Sequence, residues 1–187
     1  MRTAKDRYVV VGADFAGFPL KEAVKQHLTE RGWTVEDVTP DLATAPMYHR
    51  AGFLVGAKIA EGEYEKALAF CGTGMGIHIA ASKLPHVHAA VAETLPSAKR
   101  AATANNANLR AMGALGAAPR VGMAMADAFL ESSLGDGYEE WEGFYEYHLR
   151  GYQECEDFDY DAYRANGFQV PDPSVPRLGP EPEGLAY

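Results

Sequence analysis

Four short apolar runs constrain this chain most: residues 8–12, 67–71, 87–91 and 109–115, each bounded by glycine, proline or asparagine. Runs of this length without polar alternation are what strands buried on both faces require. Residues 33–38 add a fifth strand. Between the strands lie stretches of helical spacing at residues 18–31, 50–61, 75–83, 95–104 and 119–133. Strand and helix alternate about five times. The order predicts a three-layer α/β, Rossmann-like domain over residues 1–133, with a five-stranded parallel sheet and ligands at the carboxyl ends of its strands. A chain of 187 residues, 47% of them hydrophobic, can bury one core of this kind, and two packed catalytic domains are not expected.

Past Ser133 the composition changes. Residues 131–163 hold eleven acidic side chains and one basic one, Arg150, interleaved with nine aromatic residues from Tyr138 to Tyr163. Trp141, Tyr145, His148 and Tyr152 have the spacing of one helical stripe, which must be covered by the body or by a second subunit. From Val170 onward the chain carries five of its eleven prolines and is expected to be an extended arm. Residues 134–187 therefore read as a C-terminal aromatic helix and Pro-rich arm that pack on a partner subunit.

The balance of 26 acidic against 17 basic residues, a formal charge of -9, opposes nucleic acid and anionic membrane surfaces as partners. Two cysteines do not make a disulfide framework, and no stretch approaches the ~18 apolar residues of a spanning helix. A soluble, cytoplasmic protein is expected.

The strongest local signal is Cys71-Gly72-Thr73-Gly74-Met75-Gly76, directly after a buried strand and directly before a helix. Glycines there let backbone N–H groups converge on a bound oxygen, and the field of the helix start favours a thiolate at Cys71. The competing reading is a buried structural cysteine beside a tight turn. A dinucleotide fingerprint does not fit, because that motif follows the first strand of its unit and this loop follows the third.

The first strand runs into Gly12-Ala13-Asp14-Phe15-Ala16-Gly17-Phe18-Pro19-Leu20-Lys21. Here the chain resembles the family of ribose-5-phosphate isomerase B and galactose-6-phosphate isomerase, whose members carry Asp-His-Ala-Gly-Phe-x-Leu-Lys. The resemblance continues through residues 71–76, Ile79-Ala80-Ala81-Ser82-Lys83, Asn105-Asn106-Ala107-Asn108-Leu109 and Gly113-Ala114, and covers residues 7–131. It implies an aldose–ketose isomerase that uses neither metal nor cofactor and works as a homodimer or dimer of dimers with sites between subunits. The cysteine matching Cys71 moves a proton between C1 and C2 of an open-chain sugar or sugar phosphate through a cis-enediolate. Thr73 stands beside the base, the amides of Gly72, Gly74 and Gly76 hold the oxyanion, and Asp14 and Asn105 contact sugar oxygens. On residue types alone, Asp14 caps the next helix and Asn105 turns the chain.

Three departures fall at positions that contact substrate in the family. Phe15 replaces a histidine, Ala104 replaces the ring-opening histidine, and the C-terminal Gly-Gly-Arg-His-x-x-Arg phosphate clamp is absent, with residues 136–146 acidic instead. Ribose 5-phosphate is therefore a poor substrate in this reading. A tetrose phosphate, whose blocked 4-hydroxyl cannot close a furanose ring, answers the loss of the histidine. An unphosphorylated sugar, walled by Phe15 and the aromatic segment, answers the loss of the arginines. The contrasting reading is a non-catalytic subunit that completes a partner's site. Arg50, Lys99, Arg100, Arg110 and Arg150 are candidate phosphate partners, though each is more simply a solvated charge. No histidine has a carboxylate at metal-ligand spacing, and His78, one turn past the glycine loop, is the one kept as a substrate contact.

Overall fold

The computed structural model describes residues 1–170, 174 and 176–183. β1 (Tyr8–Ala13), β2 (Thr34–Asp37), β3 (Ala67–Cys71), β4 (Ala89–Val91) and β5 (Leu109–Gly113) form one sheet in the order β2-β1-β3-β5-β4, every pairing parallel. The helices α1 (Phe18–Glu30), α2 (Tyr48–Ala60), α3 (Met75–Ala81), α4 (Leu95–Thr103) and α5 (Pro119–Leu130) alternate with the strands. This is the Rossmann-like arrangement expected from the apolar runs.

Successive strand residues enter two different cores, which is why the runs carry no polar alternation. Val9, Val11, Leu68, Phe70 and Met112 pack with Leu20, Val24 and Leu28 of α1 and Ala126 and Phe129 of α5. Val10, Ala67, Ala69, Cys71 and Ala111 pack with Ala51, Val55 and Ile59 of α2 and Ile77 of α3. Observed element limits differ from the expected ones by three residues or fewer. At β4 the cause is visible. Asn108 accepts the His88 N–H at 2.9 Å and donates to His86 O at 2.7 Å, so a side chain replaces ladder bonds before Ala89.

Two basic side chains lie fully inside the first unit, and their surroundings differ. Lys21 Nζ donates to Asp37 Oδ2 at 2.7 Å and to Thr39 O at 2.6 Å, and lies 2.9 Å from Glu22 Oε1. Burial by itself raises the Asp37 carboxyl, but hydrogen bonds from Lys21, Lys25 and the Thr39 N–H outweigh it and hold the group below its ordinary value. Thr39 Oγ1 also accepts the Ala13 N–H at 2.8 Å, which anchors the end of β1 where Asp14 begins.

Arg110 departs from the expected solvated charge. It points into the α/β layer, where Nη2 donates to Ala92 O at 2.7 Å and lies 3.1 Å from Met125 Sδ. Nε and Nη1 have no partner among the described residues. Burial lowers the guanidinium well below its ordinary value, to about 10. At 1.36 kcal/mol per unit, that drop costs the folded state about 3 kcal/mol at neutral pH, because the unfolded chain carries the same charge in water. Arg110→Met is expected to raise stability by about 1–3 kcal/mol near pH 7. The gain shrinks as the pH rises through 10, where the folded wild type sheds this proton before the unfolded chain does. Denaturant unfolding at pH 7 checks this, and a less stable variant would show that Arg110 has a stabilising partner.

The second compact unit comprises residues 103–106 and the chain from Ser133 onward. It contains α6 (Phe144–Glu156) and α7 (Tyr160–Ala165). Ala104, Tyr138 and Phe144 are buried together, with Trp141 and Leu178 against them, and the Tyr138 and Phe144 rings stack at 4.1 Å. The expected helical stripe is broken at its start. Gly143, at φ +78, turns the chain so that α6 begins at Phe144 and Trp141 stays in the preceding turn. Trp141 Nε1 donates to Gly179 O, and Gly179 N–H donates to Glu142 O, both at 2.9 Å. The described part of the proline-rich stretch thus returns onto the entrance of α6. Residues 171–173, 175 and 184–187 of the expected arm lie outside the described residues. Among the described residues, no helix is long and apolar enough to cross a membrane.

Candidate active site

The carboxyl end of β3 delivers Cys71, 3% exposed, into a loop whose shape depends on Gly74. Gly74 adopts φ +78, a left-handed conformation open to glycine, and its N–H donates to Cys71 Sγ at 3.1 Å. The Gly74 N–H is thus directed at the sulfur. Thr73 Oγ1 accepts the Met75 N–H at 3.4 Å, a weak bond that keeps the hydroxyl over the loop.

Asp14 follows β1 beside this loop. Its N–H donates to Phe70 O at 3.1 Å, and its Oδ1 accepts the Gly17 N–H at 2.8 Å. This bond closes the turn ahead of α1, whose N-cap Gly17 has no side-chain cap, and Oδ2 keeps no partner among the described residues. Gly17 makes the closest approach: a Cβ there would stand 2.6 Å from Cys71 N and closer still to the Phe70 carbonyl. The Asp14 turn and the Cys71 strand end are thereby one packed junction. Phe15, between them in the turn, is 72% exposed.

Residue-level reasoning missed Tyr48. It opens α2, and its ring lies flush on Gly76, where a Cβ would come within 2.7 Å of Cδ2 and Cε2. An aromatic at a helix start has no local signature, so only the packing of α2 on α3 reveals it. His78 Nε2 pairs with Ala89 O at 3.1 Å, which ties its ring to the start of β4. Asn105 belongs to the second unit, exposed between buried Ala104 and left-handed Asn106 (φ 49). Ala104 itself is 4% exposed in the Tyr138–Phe144 cluster, a place for a methyl group and not for a titrating imidazole. Among the described residues, no three His, Cys, Asp or Glu side chains are grouped to hold a metal ion.

A parallel sheet that presents a buried thiol on a glycine loop at its carboxyl edge is the architecture of an α/β sugar isomerase. The chain belongs to the Ribose/Galactose Isomerase family, which it matches over residues 9–142. It is 37% identical over 134 residues to 4-deoxy-4-sulfo-D-erythrose isomerase of a Clostridium species, covering 71% of this chain and 84% of that one. It is 35% identical over 130 residues to D-erythrulose-4-phosphate isomerase 2 of Mycolicibacterium smegmatis, covering 68% and 83%. Among solved structures, Clostridium thermocellum ribose-5-phosphate isomerase B superposes with a TM-score of 0.71 at 26% identity, covering 80% of this chain and 95% of that one.

Proposed function

We propose that this protein interconverts the aldose and ketose forms of a four-carbon sugar that carries an anionic group, phosphate or sulfonate, on C4. The observation that carries this reading is Ala104, buried in an apolar cluster where the family expects its ring-opening histidine. A furanose ring needs a free 4-hydroxyl. A tetrose substituted at C4 stays open, and its isomerase needs no group to open a ring. The names of the two relatives, which act on 4-deoxy-4-sulfo-D-erythrose and on D-erythrulose 4-phosphate, support the same substrate class.

In this mechanism the Cys71 thiolate takes the proton from C2 of the aldose, and the C–H electron pair becomes the C1–C2 double bond of a cis-enediolate. The negative charge on O1 is met by the amides of Gly72 and Gly76, while the Gly74 N–H stays with the sulfur. The O2 proton passes to O1 with Thr73 alongside. The thiol then returns its proton to C1, leaving the carbonyl at C2. Asp14, through its unused Oδ2, holds a sugar hydroxyl, with Phe15 against the carbon chain.

We also propose a homodimer or dimer of dimers, with the second unit packing on a partner. The exposed Met47, Tyr48, Phe53, Leu54, Met75 and Ile79 support it, since they lie on or beside the mutually packed α2 and α3. A cytoplasmic setting is in keeping with two unpaired cysteines.

Proton exchange in heavy water tests the substrate. D-Erythrose 4-phosphate and 4-deoxy-4-sulfo-D-erythrose are expected to exceed ribose 5-phosphate in kcat/KM by at least about 100-fold, about 3 kcal/mol of transition-state binding. Efficient turnover of ribose 5-phosphate would overturn the reading, and interconversion of no sugar would favour the non-catalytic subunit.

A further inference from the structure

The turn after β5 is bonded onto the cysteine loop, with Ala114 N–H donating to Cys71 O and Leu115 N–H to Gly72 O, both at 2.9 Å. The side chain this turn carries, Leu115, is 81% exposed and lies beside Gly72. Its Cδ1 stands 3.4 Å from the point where a Cβ on Gly72 would lie, and the Ala16 Cβ is 3.6 Å from the same point. Phe15, adjacent to Ala16, is 72% exposed. Single exposed apolar residues need no explanation. Here Leu115 and Ala16, from the loops after β5 and β1, flank one glycine next to the buried thiol, and Phe15 is exposed one residue from Ala16. Burying them is favourable, and a molecule bound at Cys71 is what could cover them.

We propose that Leu115, with Phe15, forms a water-excluding rim over the Cys71 loop that decides whether the transferred proton exchanges with solvent. The inference rests on the thiol-base reading above. Once C2–H is broken, the proton resides on the sulfur until it is given to C1. Water that reaches the sulfur replaces that proton, in heavy water with a deuteron. An apolar rim closed over the substrate keeps the original proton in place, and it strengthens the amide–oxyanion bonds by removing competing water. Leu115 acts through solvent access and touches no transferred atom, so it is a positioning residue.

The test uses the full chain with D-erythrose 4-phosphate in heavy water, reading deuterium at C1 of the ketose by NMR. Wild type is expected to transfer a measurable share of the original proton. Leu115→Ala should raise the ratio of deuterated to protonated product at least about threefold and lower kcat about tenfold with little change in KM. Leu115→Met, which restores the apolar cover, should return the wild-type ratio, and Phe15→Ala should move it in the same direction as Leu115→Ala. Complete deuteration by the wild type, or a ratio that ignores both alanine variants, overturns the rim. A wild type inactive on every sugar, or turnover that survives Cys71→Ser, overturns the thiol-base reading and the rim with it.

Discussion

Cys71→Ser is expected to fold as the wild type does and to lose about 10²–10⁴-fold in kcat, the span that a positioned proton-transfer group contributes. The fold tolerates the change because Cys71 closes β3 in register with Gly113, and a serine hydroxyl accepts the Gly74 N–H in place of the sulfur. The chemistry does not tolerate it, since a hydroxyl is a far weaker base than a thiol near neutral pH. Binding of a substrate analogue should therefore stay close to wild type while turnover falls. Calorimetric titration with the analogue and exchange rates in heavy water separate the two. Retained turnover would remove Cys71 from the mechanism.

Gly17→Ala is expected to destabilise the protein at or beyond the upper end of the range of about 1–3 kcal/mol seen for overpacked cores. The added methyl would meet the backbone of Phe70 and Cys71, which cannot rotate away as a side chain would. Relief requires α1 to move off β3, which also disturbs the Asp14 N–H bond to Phe70 O. For a protein of this size a loss of about 3 kcal/mol lowers the melting temperature by about 6–12 °C. The folded fraction should lose activity too, because the strain falls on the strand end that carries the thiol. Gly151→Ala is the control. Its Cβ meets nothing within 4 Å, it lies inside α6, and alanine there should be neutral or stabilising by up to about 1 kcal/mol. A Gly17→Ala protein with unchanged melting and turnover would mean that α1 and β3 are not locked as the structure has them.

The apolar packing at Ala104 is in keeping with the proposed open-chain substrate. Ala104 sits with Tyr138 and Phe144, so the second unit has filled that position with apolar contact. Restoring a histidine at 104 would place a polar ring in that cluster and would not by itself return a ring-opening group.

The amino-acid sequence by itself determined the parallel α/β class, because residues buried on both faces of a strand must all be apolar and nothing else produces five such short runs between helical stretches. It also determined the local form of the cysteine loop, since strand, glycines and helix are contiguous. Asp14 and Asn105 carried no decisive local signal, and only the likeness to a sugar-isomerase family singled them out. Tertiary structure decided the rest. Gly17 meets Phe70, Tyr48 meets Gly76 and Leu115 meets Gly72 across breaks in the chain that the strand order β2-β1-β3-β5-β4 closes. Arg110 looked like a surface charge because its neighbours Ala92 and Met125 are distant in sequence, and Trp141 looked helical until Gly143 turned the chain ahead of α6. Periodicity reports which face of its own element a residue occupies. What that face meets is set by which elements the sheet brings together, and that follows from the packing of the whole chain.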